Sequence, residues 1–173
     1  MNKEIKELIE KIEKWAEDRN IFNGSTVQKQ ILKLVEEIGE LFSGHNKNDV
    51  DKIRDSVGDS IVVLTNLRKM LNIKETLLDT YLESDYIFEE DNIYNAEEHL
   101  FWILRFLGFL SDHGVSGVER TYSESVNIIF YNLMRYCRAK EIDLIECVQY
   151  AYDQIKDRKG RMVDGIFVKE EDL

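Results

Sequence analysis

Five acidic residues fall into two short runs whose spacing suits chemistry. Glu36, Glu37 and Glu40 lie within ILKLVEEIGELF, and Asp55 and Asp59 lie within DKIRDSVGDSIVVL. On a helix, residues three or four apart stand one above the other. Glu37 and Glu40 have the first spacing; Glu36 and Glu40, and Asp55 and Asp59, have the second. Two such helices side by side can bring their carboxylates to one point. Oxygen-only donors suit Mg²⁺ or Mn²⁺. The same spacing also describes an acidic face turned to water, the ordinary fate of charge on an amphipathic helix.

The segments that carry these acids differ in their apolar patterns. In the first, Ile31, Leu34, Val35, Ile38, Leu41 and Phe42 form a stripe opposite the acids. In the second, Ile53, Val57, Leu64, Leu67 and Leu71 form the core stripe. The opposite stripe is Asp55, Asp59, Val62 and Asn66, with Val63 at its flank. After Asp59 the chain reads SIVVL and is apolar nearly all round, the signature of a buried helix. An acid at the edge of such a run needs a partner, because an unpaired buried charge is expensive. A metal ion fills that need when the nearest groups are other acids.

The 173 residues contain no proline and 9 glycines, and apolar residues recur at helical spacing almost throughout. An all-α fold in a single domain over residues 1–173 is expected. The formal net charge of −11 repels nucleic acid, so a DNA or RNA partner is not expected. Cys137 and Cys147 have neither metal-type spacing nor a disulfide framework. The N-terminus MNKEIKELIEK carries no apolar signal segment. LFWILRFLGFL, near residues 100–110, is too short for a bilayer, is broken by Arg105, and reads as a buried core helix. No membrane association and a cytoplasmic location follow as expectations.

Apolar spacing predicts a first helix at about 3–19, with Ile5, Leu8, Ile9, Ile12, Trp15 and Ala16 on one face. RNIFNGST reads as a loop. Ser25 with Gln28 reads as a capping box opening a helix to about 44. GHNKND reads as a loop in which Asn48 caps a helix over about 49–71. A short helix is expected at about 74–83, then an acidic connector, ESDYIFEEDN. Asn95 with Glu98 caps a helix to about 112, HGVSG is a loop, and Thr121 with Glu124 opens a helix to about 139. Asp143 with Glu146 opens the last helix, to about 158. RMVDGIFVK, with Asp-Gly between apolar residues, reads as a short hairpin.

The two halves of the chain can be superposed as an internal tandem duplication. VEEIGELF aligns with LRFLGFLS, pairing Gly39 with Gly108 at an offset of 69 (108 − 39), and DSIVVLTNL aligns with SVNIIFYNL, pairing Asn66 with Asn132 at 66 (132 − 66). KETLLDTY likewise aligns with IECVQYAY. A first repeat at about 26–82 then bears the acids, and a second at about 95–158 is degenerate: Glu36 maps to Arg105, Glu37 to Phe106, Glu40 to Phe109 and Asp59 to Ser125. A helical glycine costs about 1 kcal/mol relative to alanine. Close helix approach accounts for Gly39 and Gly108, while Gly58, next to Asp59, leaves room for a ligand or metal.

KLVEEIGEL, a gap and DSVGDSIVVLTNL resemble the MazG-like branch of the all-α nucleoside triphosphate pyrophosphohydrolases, whose pattern is E-E-x-x-E, a spacer, then E-x-x-D. AYDQIKDRKGRMVDGIFVK also resembles the C-terminal end of MazG-like proteins, phage-type ones included. The resemblance implies a MazG-like helical bundle and Mg²⁺-dependent hydrolysis of a nucleoside triphosphate to the monophosphate and pyrophosphate. It carries the metal ligands over to Glu37, Glu40 and Asp59, with Glu36 beside them. Ser56 stands where the pattern has an acid; either Asp55, one residue earlier, replaces it as a ligand, or the site has one ligand fewer. Assembly as a homo-oligomer, a dimer, is also implied.

Further residues are placed for a triphosphate. Lys33 lies one turn before Glu37, where it either contacts phosphate or pairs with Glu37. Lys156, Arg158, Lys159 and Arg161 form the dense basic patch of an acidic chain. They either close over the triphosphate or serve a helix C-terminus. Asn66 shares the stripe of Asp59 and either bonds substrate or, as its repeat mate Asn132 suggests, makes a structural hydrogen bond. Trp15 either stacks on a base or belongs to the core. His45 and His113 fall in expected loops and His99 begins a helix; none is given a role. Besides an enzyme, the sequence accommodates a helical module that binds metal or nucleotide without turnover, and an interaction protein whose acids are solvated.

Overall fold

The computed structural model describes residues 2–73, 95–116 and 122–173. It is mostly helical. In order come α1 (Asn2–Asp18), α2 (Ile21–Gly24), α3 (Val27–Lys47), α4 (Val50–Met70), α5 (Ala96–Ser116), α6 (Tyr122–Ala139) and α7 (Leu144–Ile155). A hairpin of β1 (Gly160–Val163) and β2 (Ile166–Lys169) and a 3₁₀ turn (Glu170–Asp172) follow. Among the described residues no helix is long and apolar enough to cross a membrane.

Helix α4 is the axis of the fold. It packs against α3 and α7, and also against α1 and α6. Its middle, Ser60 to Leu67, is buried on every side, as the SIVVL run predicts. Helices α3 and α4 are joined through Asn48 and Asp49 and run antiparallel. Gly44 meets Ile53, Glu40 faces Lys52 at 3.9 Å, and Gln30 reaches Asn66 at 3.4 Å. Helices α5 and α6 pack together, and α5 also touches α3.

Local signals place most boundaries. Asp143 accepts from the Ile145 and Glu146 amides at the start of α7. Asn95 and Glu98 bond reciprocally at 2.8 and 2.9 Å before α5, the capping box expected there. The hairpin forms with Val163 opposite Ile166. Asp164 and Gly165 both adopt positive φ, 50° and 83°, the backbone that a two-residue turn of this twist requires.

Several expectations are corrected. Thr26, not Ser25, caps α3, accepting from the Lys29 amide at 3.2 Å. Ser25 instead donates to the Gly165 carbonyl and so ties the hairpin to α3. The RNIFNGST stretch contains the turn of helix α2. Helix α3 continues to Lys47, so His45 is helical, and its Nδ1 lies 3.1 Å from the Tyr136 hydroxyl. Asn48 closes α3 in a left-handed conformation, and the cap of α4 is Asp49, which accepts from Lys52. Helix α5 runs on to Ser116, which makes His113 helical as well, and α7 stops at Ile155. The short helix and connector expected over 74–92, and the Thr121 cap, lie outside the described residues.

Two readings of packing are also corrected. A Cβ on Gly39 or Gly108 would meet nothing within 4 Å, so neither glycine marks a close helix approach. Gly58 does. Its Cβ would stand 2.3 Å from the Cys147 carbonyl oxygen and 2.8 Å from Ala151 Cβ, so its missing side chain seats α4 on α7. Helix α5 is not buried all round: Leu100, Ile103, Leu107 and Leu110 face the core, while Phe101, Leu104 and Phe109 are exposed. Val35, placed in the core stripe of α3, is exposed too.

Candidate functional site

A cavity of about 310 Å³ lies where α1, α3, α4, the end of α7 and the hairpin meet. Helix α3 contributes Lys33, Glu36 and Glu37, and helix α4 contributes Asp59 and Asn66. The two helices put these groups on one wall because they are antiparallel neighbours and the acids sit at matching heights.

Glu37 is the buried acid of α3, its side chain 6 % exposed. Lys33 Nζ lies 2.6 Å from Glu37 Oε1 and 3.1 Å from Glu36 Oε1, so one lysine bridges both acids. Burial raises the Glu37 carboxyl above its ordinary range, and Lys33 only partly opposes this. Burial alone would pull the Lys33 ammonium down, but the two carboxylates outweigh it and hold it above the usual lysine range. Glu36 is more than half exposed at the rim.

Asp59 is the most perturbed acid of the site. Burial first, then the charges of Glu37 and Asp55, push its carboxyl from 3.8 up to about 7, against the opposing pull of Lys33 and Arg158. The buried run that follows Asp59 is the cause. It sinks the start of the SIVVL segment into the bundle and draws the preceding acid out of water.

The other expected residues divide. Arg158 lines the cavity, held there because Arg19, just past the end of α1, donates to the Lys156 and Arg158 carbonyls at 2.9 and 3.0 Å. Lys156 instead pairs with Asp153 at 2.6 Å, and Lys159 and Arg161 do not line the cavity. Glu40 points toward Lys52, and Asp55 accepts from Gln154 at 2.9 Å; neither lines the cavity. Ser56 is buried and spends its hydroxyl on the Lys52 carbonyl at 2.7 Å. Among the described residues no three His, Cys, Asp or Glu side chains are gathered closely enough to hold a metal ion by themselves.

Trp15 is both core and cavity wall, edge-on to Phe167 of β2 at 6.0 Å. The part played by Gln30, Gly165 and Phe167 has no signal in the sequence beyond the Asp-Gly turn, which announces a hairpin but not its resting place.

The chain is thus a mostly helical protein with an acid-lined cavity between two antiparallel helices. No family model matches it. Over 74 residues, 43 % of this chain, it is 51 % identical to a protein of Haemophilus phage HP1 (strain HP1c1) described as "Uncharacterized 18.2 kDa protein in rep-hol intergenic region". The match covers 45 % of that protein, so the chain spans less than half the length of this curated relative. No solved structure matches.

Proposed function

We propose that this protein is a MazG-like pyrophosphohydrolase that cuts a nucleoside triphosphate to the monophosphate and pyrophosphate with Mg²⁺, Mn²⁺ being an alternative. The observation that carries the reading is the convergence of Glu36, Glu37 and Asp59 with Lys33 and Arg158 on one cavity. A half-buried acid pushed up to about 7, first by burial and then by the charges of Glu37 and Asp55, is stabilised in its ionised form by a cation, and Lys33 is already shared between two glutamates. Mg²⁺ commonly uses one or two protein carboxylates and completes its shell with phosphate oxygens and water. Glu37 and Asp59 fit that donor set, with Glu40 and Asp55 contributing charge from behind.

Bound Mg²⁺ would neutralise phosphate oxygens and polarise the attacking water. Lys33 and Arg158, which both line the cavity, hold the anionic chain. Glu36, at the solvent rim, accepts the proton as the water oxygen bonds to the α-phosphorus. The bond from that phosphorus to the bridging oxygen breaks, and pyrophosphate leaves. A product assay with a panel of ribo- and deoxyribonucleoside triphosphates tests this. Monophosphate plus pyrophosphate, with metal and not with chelator, is the expected result; diphosphate plus phosphate would refute it.

A second reading, a module that binds metal or nucleotide without turnover, is favoured by Ser56, whose hydroxyl faces its own helix where the family pattern has an acid. Metal-dependent thermal stabilisation without any product would select it.

The duplication reading is supported by matching polar pairs. Asn66 meets Gln30, and Asn132 meets His99 at 3.0 Å, residues related by 66 (132 − 66) and 69 (99 − 30). The same offset of 69 relates the exposed Leu32 and Val35 to the exposed Phe101 and Leu104. Glu36 on α3 and Arg105 on α5 are opposite in charge at equivalent points. Two copies crossing α3 over α5 would cover both stripes and set Arg105 near the acidic rim without occupying Glu36, which makes a second copy of this chain the occupant of that face.

A further inference from the structure

Among the described residues, two buried side-chain polar atoms have no protein partner: Trp15 Nε1 and Asn66 Oδ1. Their residues are 8 % and 3 % exposed, and both line the acid-bearing cavity. Buried polar groups are almost always paired, so a donor and an acceptor left over in two residues that line one cavity point to a ligand.

The orientation of Asn66 is set by a chain of hydrogen bonds with only one polarity. It starts at the Gly165 carbonyl, which can only accept. Ser25 Oγ therefore donates to it, at 2.7 Å. That hydroxyl then accepts from Gln30 Nε2 at 3.1 Å. Gln30 Oε1 is left to accept, and it takes Asn66 Nδ2 at 3.4 Å. Flipping Gln30 would set donor against donor at Asn66, and flipping Asn66 alone would set acceptor against acceptor. Asn66 is thus left with an acceptor, an orientation set by the turn of the hairpin, and Trp15 with the donor that an indole always carries. The repeat mate behaves differently: Asn132 has both ends of its amide bonded, to Ile128 O at 2.8 Å and to His99 at 3.0 Å.

We propose that Asn66 Oδ1 and Trp15 Nε1 read the hydrogen-bonding edge of a nucleobase, which offers an N–H to the first and a carbonyl or ring nitrogen to the second. The inference rests on the pyrophosphohydrolase reading and adds to it the part of the substrate that is recognised. Asn66 lies two helical turns beyond Asp59 on the same face, so a base there leaves the triphosphate directed toward the acids. Val62 and Phe167 supply apolar walls for a flat ring.

The test compares kcat/KM for the best nucleoside triphosphate with that for inorganic tripolyphosphate, in the wild type, Trp15→Phe and Asn66→Leu, all with Mg²⁺. Each substitution removes one hydrogen bond to the base, so each is expected to cut the preference for the base-bearing substrate roughly tenfold, mainly through KM. A substrate analogue methylated on the edge nitrogen should lose as much with the wild type and little more with Asn66→Leu. An unchanged preference in both variants would overturn the inference while leaving the pyrophosphohydrolase reading intact. If the wild type turns over neither substrate, that reading fails, and calorimetric titration with phosphate-free nucleosides decides the base site. Binding lost in Asn66→Leu upholds it; no nucleoside binding means that water alone serves the two atoms and overturns it. Should Asn66→Leu not fold, as judged by thermal unfolding, Trp15→Phe carries the same comparison.

Discussion

Replacing Asp59 by asparagine separates the stability of this protein from its proposed activity. The folded Asp59 carboxyl sits at about 7, against 3.8 for the free side chain. Its folded value is raised, so the stabilisation from holding it neutral is complete below about pH 4 and is lost as pH climbs through about 7. Those roughly 3 units correspond to about 4 kcal/mol, an upper bound that solvent access to the half-buried group reduces to about 2 kcal/mol. Asparagine keeps the shape and never ionises. In chelator at pH 8, Asp59→Asn should therefore be more stable than wild type by roughly 2 to 4 kcal/mol. For a chain of this size that is about 4 to 16 °C in Tm. At pH 4 the two proteins should melt within about 1–2 °C of each other, because little charge is left to remove. Thermal melts from pH 4 to 8.5 measure the difference directly, and a product assay on the same variant should show no turnover. A Tm difference that does not widen with pH would refute the picture of a strained, buried acid. Retained turnover would remove Asp59 from the chemistry.

The remaining predictions concern packing, the division among the acids, and assembly. Gly58→Ala should destabilise by about 2–3 kcal/mol in denaturant titration, because its methyl group meets the Cys147 carbonyl and Ala151. Gly39→Ala should instead stabilise by up to about 1 kcal/mol, since it adds a helix former in open space. Glu37→Gln should lower kcat/KM at least tenfold more than Glu40→Gln or Asp55→Asn, because only Glu37 of the three lines the cavity; equal losses in all three would restore a four-acid site. Phe101→Glu should halve the mass seen by sedimentation while leaving far-UV dichroism unchanged, and a monomeric wild type would dismiss the α3–α5 face as an interface.

Helix identity was legible because its causes are local. Apolar spacing, the Asn95–Glu98 box and the Asp143 cap all act within one or two turns. Asp164–Gly165 forms its turn for the same kind of reason. Boundaries failed where two local candidates competed. Thr26 displaced Ser25 as a cap because Ser25 was taken by the hairpin 140 residues away. Exposure failed where pattern ignored context. Val35, Phe101, Leu104 and Phe109 look like core residues in sequence and face outward in the folded chain.

The sequence by itself determined which two helices carry the acids and that Asp59 enters a buried run, because those facts depend only on spacing along one helix. Tertiary structure decided which acids meet. Position on a helix sets an angle about its own axis, but convergence depends on where the neighbouring helix crosses and what else reaches the same space. So Glu37 and Asp59 share a cavity while Glu40 turns to Lys52 and Asp55 to Gln154. By the same reasoning Gly58, not Gly39, is the glycine that the helix contact requires. Arg158 joins the site, while Lys156 does not, because Arg19 anchors the chain as it leaves α7.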